Sequence, residues 1–280
     1  MYGRPDELGQ ALRWLASRRP AIVAGGTDYY PARVGRPVEP EVLDLSRLAA
    51  LRGIRAEPSQ WRIGALTTWT DVARAALPPA LDALVQAAVE VGGPQVQNRG
   101  TVGGNLCNAS PAADGVPALL ALDARVELAS LRGLRTLPLA DFVLGPRRTA
   151  LAPDELLLAV LVPRRGPTAR SRFVKLGHRR YLVISVAMVA AAVDADEEGR
   201  ISHAAVAVGA CSAAARRLPA LEGALIGTPR AALADTAARL LRDPAALAPL
   251  APIDDVRGTA RYRRDAAATL VARALAALAP

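Results

Sequence analysis

Cysteine is nearly absent from this 280-residue chain, which has only Cys107 and Cys211. Two thiols cannot supply the four ligands of an iron–sulfur cluster or a disulfide framework, so both are expected to be small core residues. Histidine is as scarce: His178 and His203 are the only two, neither beside a cysteine or carboxylate cluster, so no metal site is expected. No apolar run approaches the roughly 20 residues that cross a bilayer; the longest, Tyr181 to Val193, suits a buried element. The amino terminus lacks the charged-then-apolar layout of a signal peptide, and a cytoplasmic protein without a membrane span is expected. Aromatic residues make up only 4% of the chain. The net charge of +9 therefore does not point to nucleic acid, because the arginines are scattered and lack aromatic interleaving. Lysine is the rarest cation: of 35 basic residues only Lys175 is a lysine, and a compact ammonium is not equivalent to a guanidinium.

What is present is a globular composition, 51% apolar with glycine and proline spread along the length. Helical spacing predicts a first helix over about Asp6 to Arg18, followed by short buried strands at Ala21 to Ala24 and Val42 to Leu45. The texture changes near residue 56. Beyond it come a strand at Trp61 to Ala65, helices at Thr70 to Ala76 and Leu81 to Val91, and a glycine-rich stretch from Gly92 to Gly104. A helix at Val116 to Leu122 and strands near Val126, Leu137 and Leu156 to Val162 lead to a linker at Pro163 to Pro167. Arg172 to Leu176, Ile184 to Val193 and Ile201 to Cys211 read as an antiparallel sheet, with helices to the end, the last over about Arg261 to Leu278.

Several familiar motifs are missing: no Gly-x-x-x-x-Gly-Lys or Gly-x-Gly-x-x-Gly nucleotide loop, and no Gly-x-Ser-x-Gly nucleophile elbow. Instead two separate glycine pairs carry hydroxyl and amide neighbours. In Ala24-Gly25-Gly26-Thr27-Asp28 the missing side chains allow backbone N–H groups to cradle an anion, and Thr27 adds a hydroxyl. Thr101-Val102-Gly103-Gly104-Asn105 repeats that chemistry, with Ser110 and Asp114 nearby. Two such loops can grip a pyrophosphate from two sides, and a side chain at Gly103 or Gly104 is expected to block the approach or to demand a forbidden positive φ. Asp114 would be repelled by phosphates; it is expected either to accept a hydroxyl hydrogen bond or to cap the helix near Val116.

Three segments then carry a family resemblance. Ile22-Val23-Ala24-Gly25-Gly26-Thr27-Asp28, Arg99 to Asn105 with Asn108-Ala109-Ser110-Pro111-Ala112-Ala113-Asp114, and Lys175 to Arg180 with Ile184-Ser185 resemble the successive signatures of the FAD-binding subunits of molybdenum hydroxylases. The resemblance spans nearly the whole chain. It implies an α+β protein: a two-subdomain FAD-binding domain of the vanillyl-alcohol-oxidase type over 1–167, divided near 56, then a small antiparallel-sheet plus helix domain over 168–280. By resemblance, Ile22, Val23, Ala24, Gly25, Gly26, Thr27, Asp28 and Tyr29, with Thr101, Val102, Gly103, Gly104 and Asn105, wrap the pyrophosphate. Asp114 binds a sugar hydroxyl, Leu157 and Lys175 lie on the flavin side, and Ile184 approaches the isoalloxazine.

The resemblance further implies an oxidoreductase subunit holding non-covalent FAD and passing electrons to an acceptor. [2Fe-2S] clusters and molybdopterin are expected on partner subunits only, in a dimer of heterotrimers. The cysteines of the extra cluster found in some members are absent here. A self-contained FAD-dependent oxidoreductase of the same superfamily is the alternative, but it needs a substrate acid or base that the sequence does not display.

Overall fold

A computed structural model describes residues 1–35, 37 and 39–280. The chain begins with β1 (Tyr2–Gly3), α1 (Leu8–Arg18), β2 (Ala21–Val23) and β3 (Val42–Asp44), which form a small parallel sheet of order β1-β3-β2. The apolar stripe Ala11, Leu12 and Leu15 of α1 packs on Leu43 of the central strand. The helix stops at Arg19, whose left-handed backbone lets its N–H reach Leu15 O at 3.0 Å.

The middle of the chain supplies β4 (Ile54–Ala56), β5 (Gln60–Gly64), α2 (Trp69–Arg74), α3 (Asp82–Glu90), α4 (Pro94–Gln97), α5 (Val102–Asn108) and α6 (Gly115–Ala121). Then come β6 (Arg125–Ser130), β7 (Gly133–Pro138), α7 (Leu139–Phe142), β8 (Val143–Gly145), β9 (Arg148–Thr149) and β10 (Leu156–Pro163). Five of these strands form an antiparallel sheet of order β4-β5-β10-β6-β7. Strand β10 divides two cores because successive side chains point to opposite faces. Leu156 and Leu158 join the core of α1, whereas Leu157, Val160 and Val162 face Ile63, Leu119 and Val126. A bulge between Leu157 and Ala159 shifts the alternation by one, so Leu157 and Val160 share a face.

The last part holds β11 (Arg170–Leu176), β12 (Ala187–Ala195), β13 (Ile201–Gly209), β14 (Arg216–Arg217), α8 (Pro219–Leu225), α9 (Leu233–Leu240) and α10 (Ala260–Ala276). Its antiparallel sheet is covered on both faces. Met188, Ala190 and Ala192 meet the middle core, while Val189, Ala191 and Val193 meet Leu270, Val271 and Leu275 of α10. That double burial explains the long apolar run of β12. Among the described residues no helix is long and apolar enough to cross a membrane.

Three expectations shift. The strand expected from Ile184 begins only at Ala187, leaving Ile184 in the preceding loop and 52% exposed. The stretch from Gly92 to Gly104 contains α4 and the first turn of α5. β4, unforeseen, pairs with β5 so that the middle sheet begins at Ile54.

Candidate functional site

A cleft of about 590 Å³ opens between the parallel sheet and the middle sheet, within the size range of small-molecule sites. Its walls bring together Ile22, Ala24, Gly25, Gly26, Thr27, Asp28 and Tyr29 with Thr101, Gly103, Gly104, Asn105 and Leu157. The two glycine loops, some 75 residues apart in sequence, touch. A Cβ on Gly25 would stand 1.9 Å from Arg99 O, and one on Gly100 3.4 Å from Thr27 Oγ1. Gly25 is therefore required by backbone contact, and Gly26 by its φ of +77°.

The first loop leaves its donors free. Among the described residues, the backbone N–H groups of Gly25, Gly26, Thr27, Asp28 and Tyr29 find no hydrogen-bond acceptor. Five successive N–H groups without acceptors, on residues that line a cleft, are suited to an anion. The segment is braced beyond the glycines: Tyr29 donates to Glu39 at 2.7 Å, and the Arg33 guanidinium lies 3.6 Å over the Tyr29 ring while pairing with Glu39. Burial and the Glu39 carboxylate push the Tyr29 phenol up, and Arg33 and Tyr29 hold Glu39 down to about 2.

The second loop is built differently. Its N–H groups are already spent: Val102 donates to Thr67 O, Gly103 to Ala65 O and Gly104 to the Thr101 hydroxyl, which caps α5. Neither Gly103 nor Gly104 needs a positive φ, contrary to one of the reasons expected for them. A Cβ on Gly103 would meet Ala65 O at 2.8 Å, so that glycine lets α5 lie against the chain after β5. What this loop offers the cleft is side-chain chemistry. The Asn105 amide oxygen is buried without a partner, an acceptor awaiting a donor.

Five expected residues are not on the wall. Val23 and Val102 are buried in the core behind it, and Ile184 lies in its exposed loop. Asp114 and Lys175 pair with each other: Lys175 Nζ lies 2.9 Å from Asp114 Oδ2 and 3.0 Å from Glu90 O, and the Ser185 hydroxyl donates to Asp114 Oδ1 at 2.7 Å. Burial pushes the Asp114 carboxyl up, opposed by the Lys175 ammonium. With both its oxygens engaged, Asp114 makes no side-chain cap to α6 either. The lone lysine sits where a buried carboxylate demands a counter-charge.

Other wall residues gave no local sequence signal. Leu45, Leu66, Trp69, Val91, Val96 and Leu156 are scattered along the chain and back the cleft with apolar side chains. Cys107, expected in the core, is exposed on the cleft side of α5, whereas Cys211 is buried as expected. Arg147 also lines the cleft, with a backbone φ of +58°. Free N–H groups, an unpaired amide oxygen and apolar walls fit a nucleotide carrying phosphate and planar rings; no histidine and no group of metal ligands stands among the described wall residues.

Residues 1–165 match the family model described as the FAD binding domain in molybdopterin dehydrogenase, and residues 172–278 match the CO dehydrogenase flavoprotein C-terminal domain. The chain is 39% identical to the nicotinate dehydrogenase FAD-subunit of Eubacterium barkeri over 75% of this chain and 73% of that one. It is 33% identical to the 6-hydroxypseudooxynicotine dehydrogenase complex subunit alpha of Paenarthrobacter nicotinovorans, over 98% and 93%. Among solved structures it superposes on carbon monoxide dehydrogenase from Hydrogenophaga pseudoflava with a TM-score of 0.88 at 32% identity, covering 99% of this chain and 96% of that one. With both of its family models matched in order and its fold shared end to end, the chain belongs to the FAD-binding subunits of the molybdenum hydroxylases, a family of oxidoreductases.

Proposed function

We propose that this chain holds one FAD non-covalently in the cleft and passes electrons from iron–sulfur clusters on a partner subunit to an acceptor. Molybdopterin would sit on a third subunit, within a dimer of heterotrimers. The observation that carries this reading is the meeting of the two glycine loops around five unpaired N–H groups. In it, Gly25 to Tyr29 hold the diphosphate through the backbone, and Thr101 and Asn105 bind from the facing loop through their side chains. Leu157 and the other apolar wall residues exclude water from the rings. Asp114 and Lys175 act from behind, fixing the start of α6 against β11 rather than touching the cofactor. Bound FAD would supply the redox chemistry. The described wall offers no histidine base, which favours electron transfer over transformation of a substrate in this cleft.

Heating the purified chain and analysing the supernatant tests the cofactor. One FAD released per chain is expected; FMN, or a flavin that stays attached, for which Cys107 would be the nearest thiol, overturns the reading. Gentle purification from the native source is expected to bring iron–sulfur and molybdopterin subunits with it. A stable, active enzyme made of this chain alone overturns that part.

A further inference from the structure

Resting on the cofactor reading above, we propose that Arg147 is the guanidinium that pairs with the diphosphate of the bound dinucleotide. A diphosphate brings two negative charges into the cleft, and neutral N–H groups do not neutralise them. Asp28 on the same wall adds a third. Among the described residues the wall holds two cations, Arg33 and Arg147. Arg33 is committed to Glu39 and to the Tyr29 ring, and Lys175 is spent on Asp114 away from the wall. Arg147 has no carboxylate partner among the described residues, and its one side-chain contact, to Asn108 O, is long at 3.5 Å.

The backbone supports the same assignment. Gly145 pairs with Arg148 across a two-residue turn, with Pro146 second and Arg147 third, where a positive φ favours glycine or asparagine. The turn is docked on the end of α5: the Arg147 N–H donates to Ala109 O at 3.0 Å, and Ala109 is itself left-handed at φ 45°. A long charged side chain on a residue held in a disfavoured conformation, lining a cleft and left without a carboxylate partner among the described residues, marks a ligand contact more than a turn device. A guanidinium also presents two parallel N–H donors that match phosphate oxygens.

The test uses the full chain freed of flavin, with dissociation constants for FAD and for ADP, which keeps the diphosphate but lacks the flavin. R147G and R147N both suit the turn and remove the charge. Each is expected to weaken FAD and ADP alike by about tenfold, equivalent to 1.4 kcal/mol, while R147K recovers part of the loss. The apo melting temperature of R147G should equal or exceed the parent's, since glycine relieves the positive φ. If R147G or R147N binds FAD as tightly as the parent, Arg147 is only a turn residue and the proposal falls. Weakened FAD with unchanged ADP overturns the diphosphate assignment. A parent chain that binds no FAD would instead overturn the cofactor reading itself, so the two failures are distinguishable.

Discussion

Gly103 and Gly104 are neighbours in the sequence with different physical jobs. A Cβ on Gly103 would stand 2.7 Å from Ala65 Cβ and 2.8 Å from Ala65 O, both fixed in the core, whereas one on Gly104 would meet only the Thr101 hydroxyl at 2.9 Å. Gly103→Val is therefore expected to overpack the seam between α5 and the chain after β5, costing about 1–3 kcal/mol in urea unfolding of the apoprotein. Gly104→Ala is the better probe of the cleft. Alanine gains about 1 kcal/mol of helix propensity over glycine and disturbs a cap worth about 1 kcal/mol, so apo stability should stay near the parent's. Its methyl nonetheless projects from a wall residue, and FAD affinity should fall about tenfold, or 1.4 kcal/mol. Titration of the two variants with FAD, beside their unfolding curves, checks both outcomes; a Gly104→Ala chain with parent affinity would leave the second loop as packing alone. At this scale the sequence was legible where chemistry and local backbone coincide. Gly25-Gly26 and Gly103-Gly104 announce themselves as pairs, but what Gly25 and Gly103 avoid lies dozens of residues away, at Arg99 and Ala65. Arg147 was illegible for the same reason: Pro146 marks a turn, but nothing in Gly145-Pro146-Arg147-Arg148 states that the turn docks on the end of α5 beside the cleft.

Between elements, the Asp114–Lys175 pair joins the start of α6 to β11, with the end of α3 contributing Glu90 O and the approach to β12 contributing Ser185. Both side chains are more than nine-tenths buried. The mutual attraction offsets two large desolvation costs, and removing one partner leaves the other charge stranded. Lys175→Met should thus destabilise the chain by about 3–5 kcal/mol, and Lys175→Met with Asp114→Leu should recover most of that loss, because a buried pair is replaceable by packed apolar groups. Denaturant midpoints of the two variants decide it. If the double variant is no better than the single one, the pair does not act as a unit. The sequence singled out Lys175 by rarity and Asp114 by its motif, yet could not bring them together, since 61 residues and two sheets separate them. Strands followed period and length well where burial is uniform, as in β10 and β12. Boundaries failed where an apolar run outlasts the ladder: Ile184 continues the texture of β12 without pairing, and its side chain is in solvent.

Across the whole molecule, the middle and last parts of the chain are held together by apolar contact from α3 and α6 onto β11, β12 and β13, by the Asp114–Lys175 pair, and by a charged knot at Asp123. Asp123, just past α6, receives Arg217 Nη1 at 2.7 Å, pairs with Arg165 of the connecting segment, and has His203 Nε2 at 3.2 Å. Arg217 is further fixed by Leu120 O at 3.1 Å and by Glu222. Burial alone would push the Asp123 carboxyl up, but the hydrogen bond and positive charge of Arg217, with the His203 ring alongside, overcome it and hold the group well below its ordinary 3.8. A carboxyl depressed in the folded state contributes stability that is complete above its unfolded value and is lost as pH falls toward the folded one. Its contribution should therefore be full at neutral pH and begin to drain away only as the pH drops past about 3.8. Other carboxylates held down by arginines, such as Asp71 beside Arg52 and Glu155 beside Arg135, drain over the same acid range, so the parent's acid unfolding alone does not isolate Asp123. The difference between the parent and Asp123→Asn does. The amide leaves Arg165 and Arg217 facing a neutral group, so the variant should be less stable at pH 7 by an amount that narrows as the pH falls below 3.8. Unfolding free energies of both chains across pH 2.5 to 7 would measure that gap, taking roughly half-unit steps. A gap that stays constant into acid would mean that Asp123 contributes by shape and hydrogen bonding alone, and that its charge does not tie the two parts of the chain together.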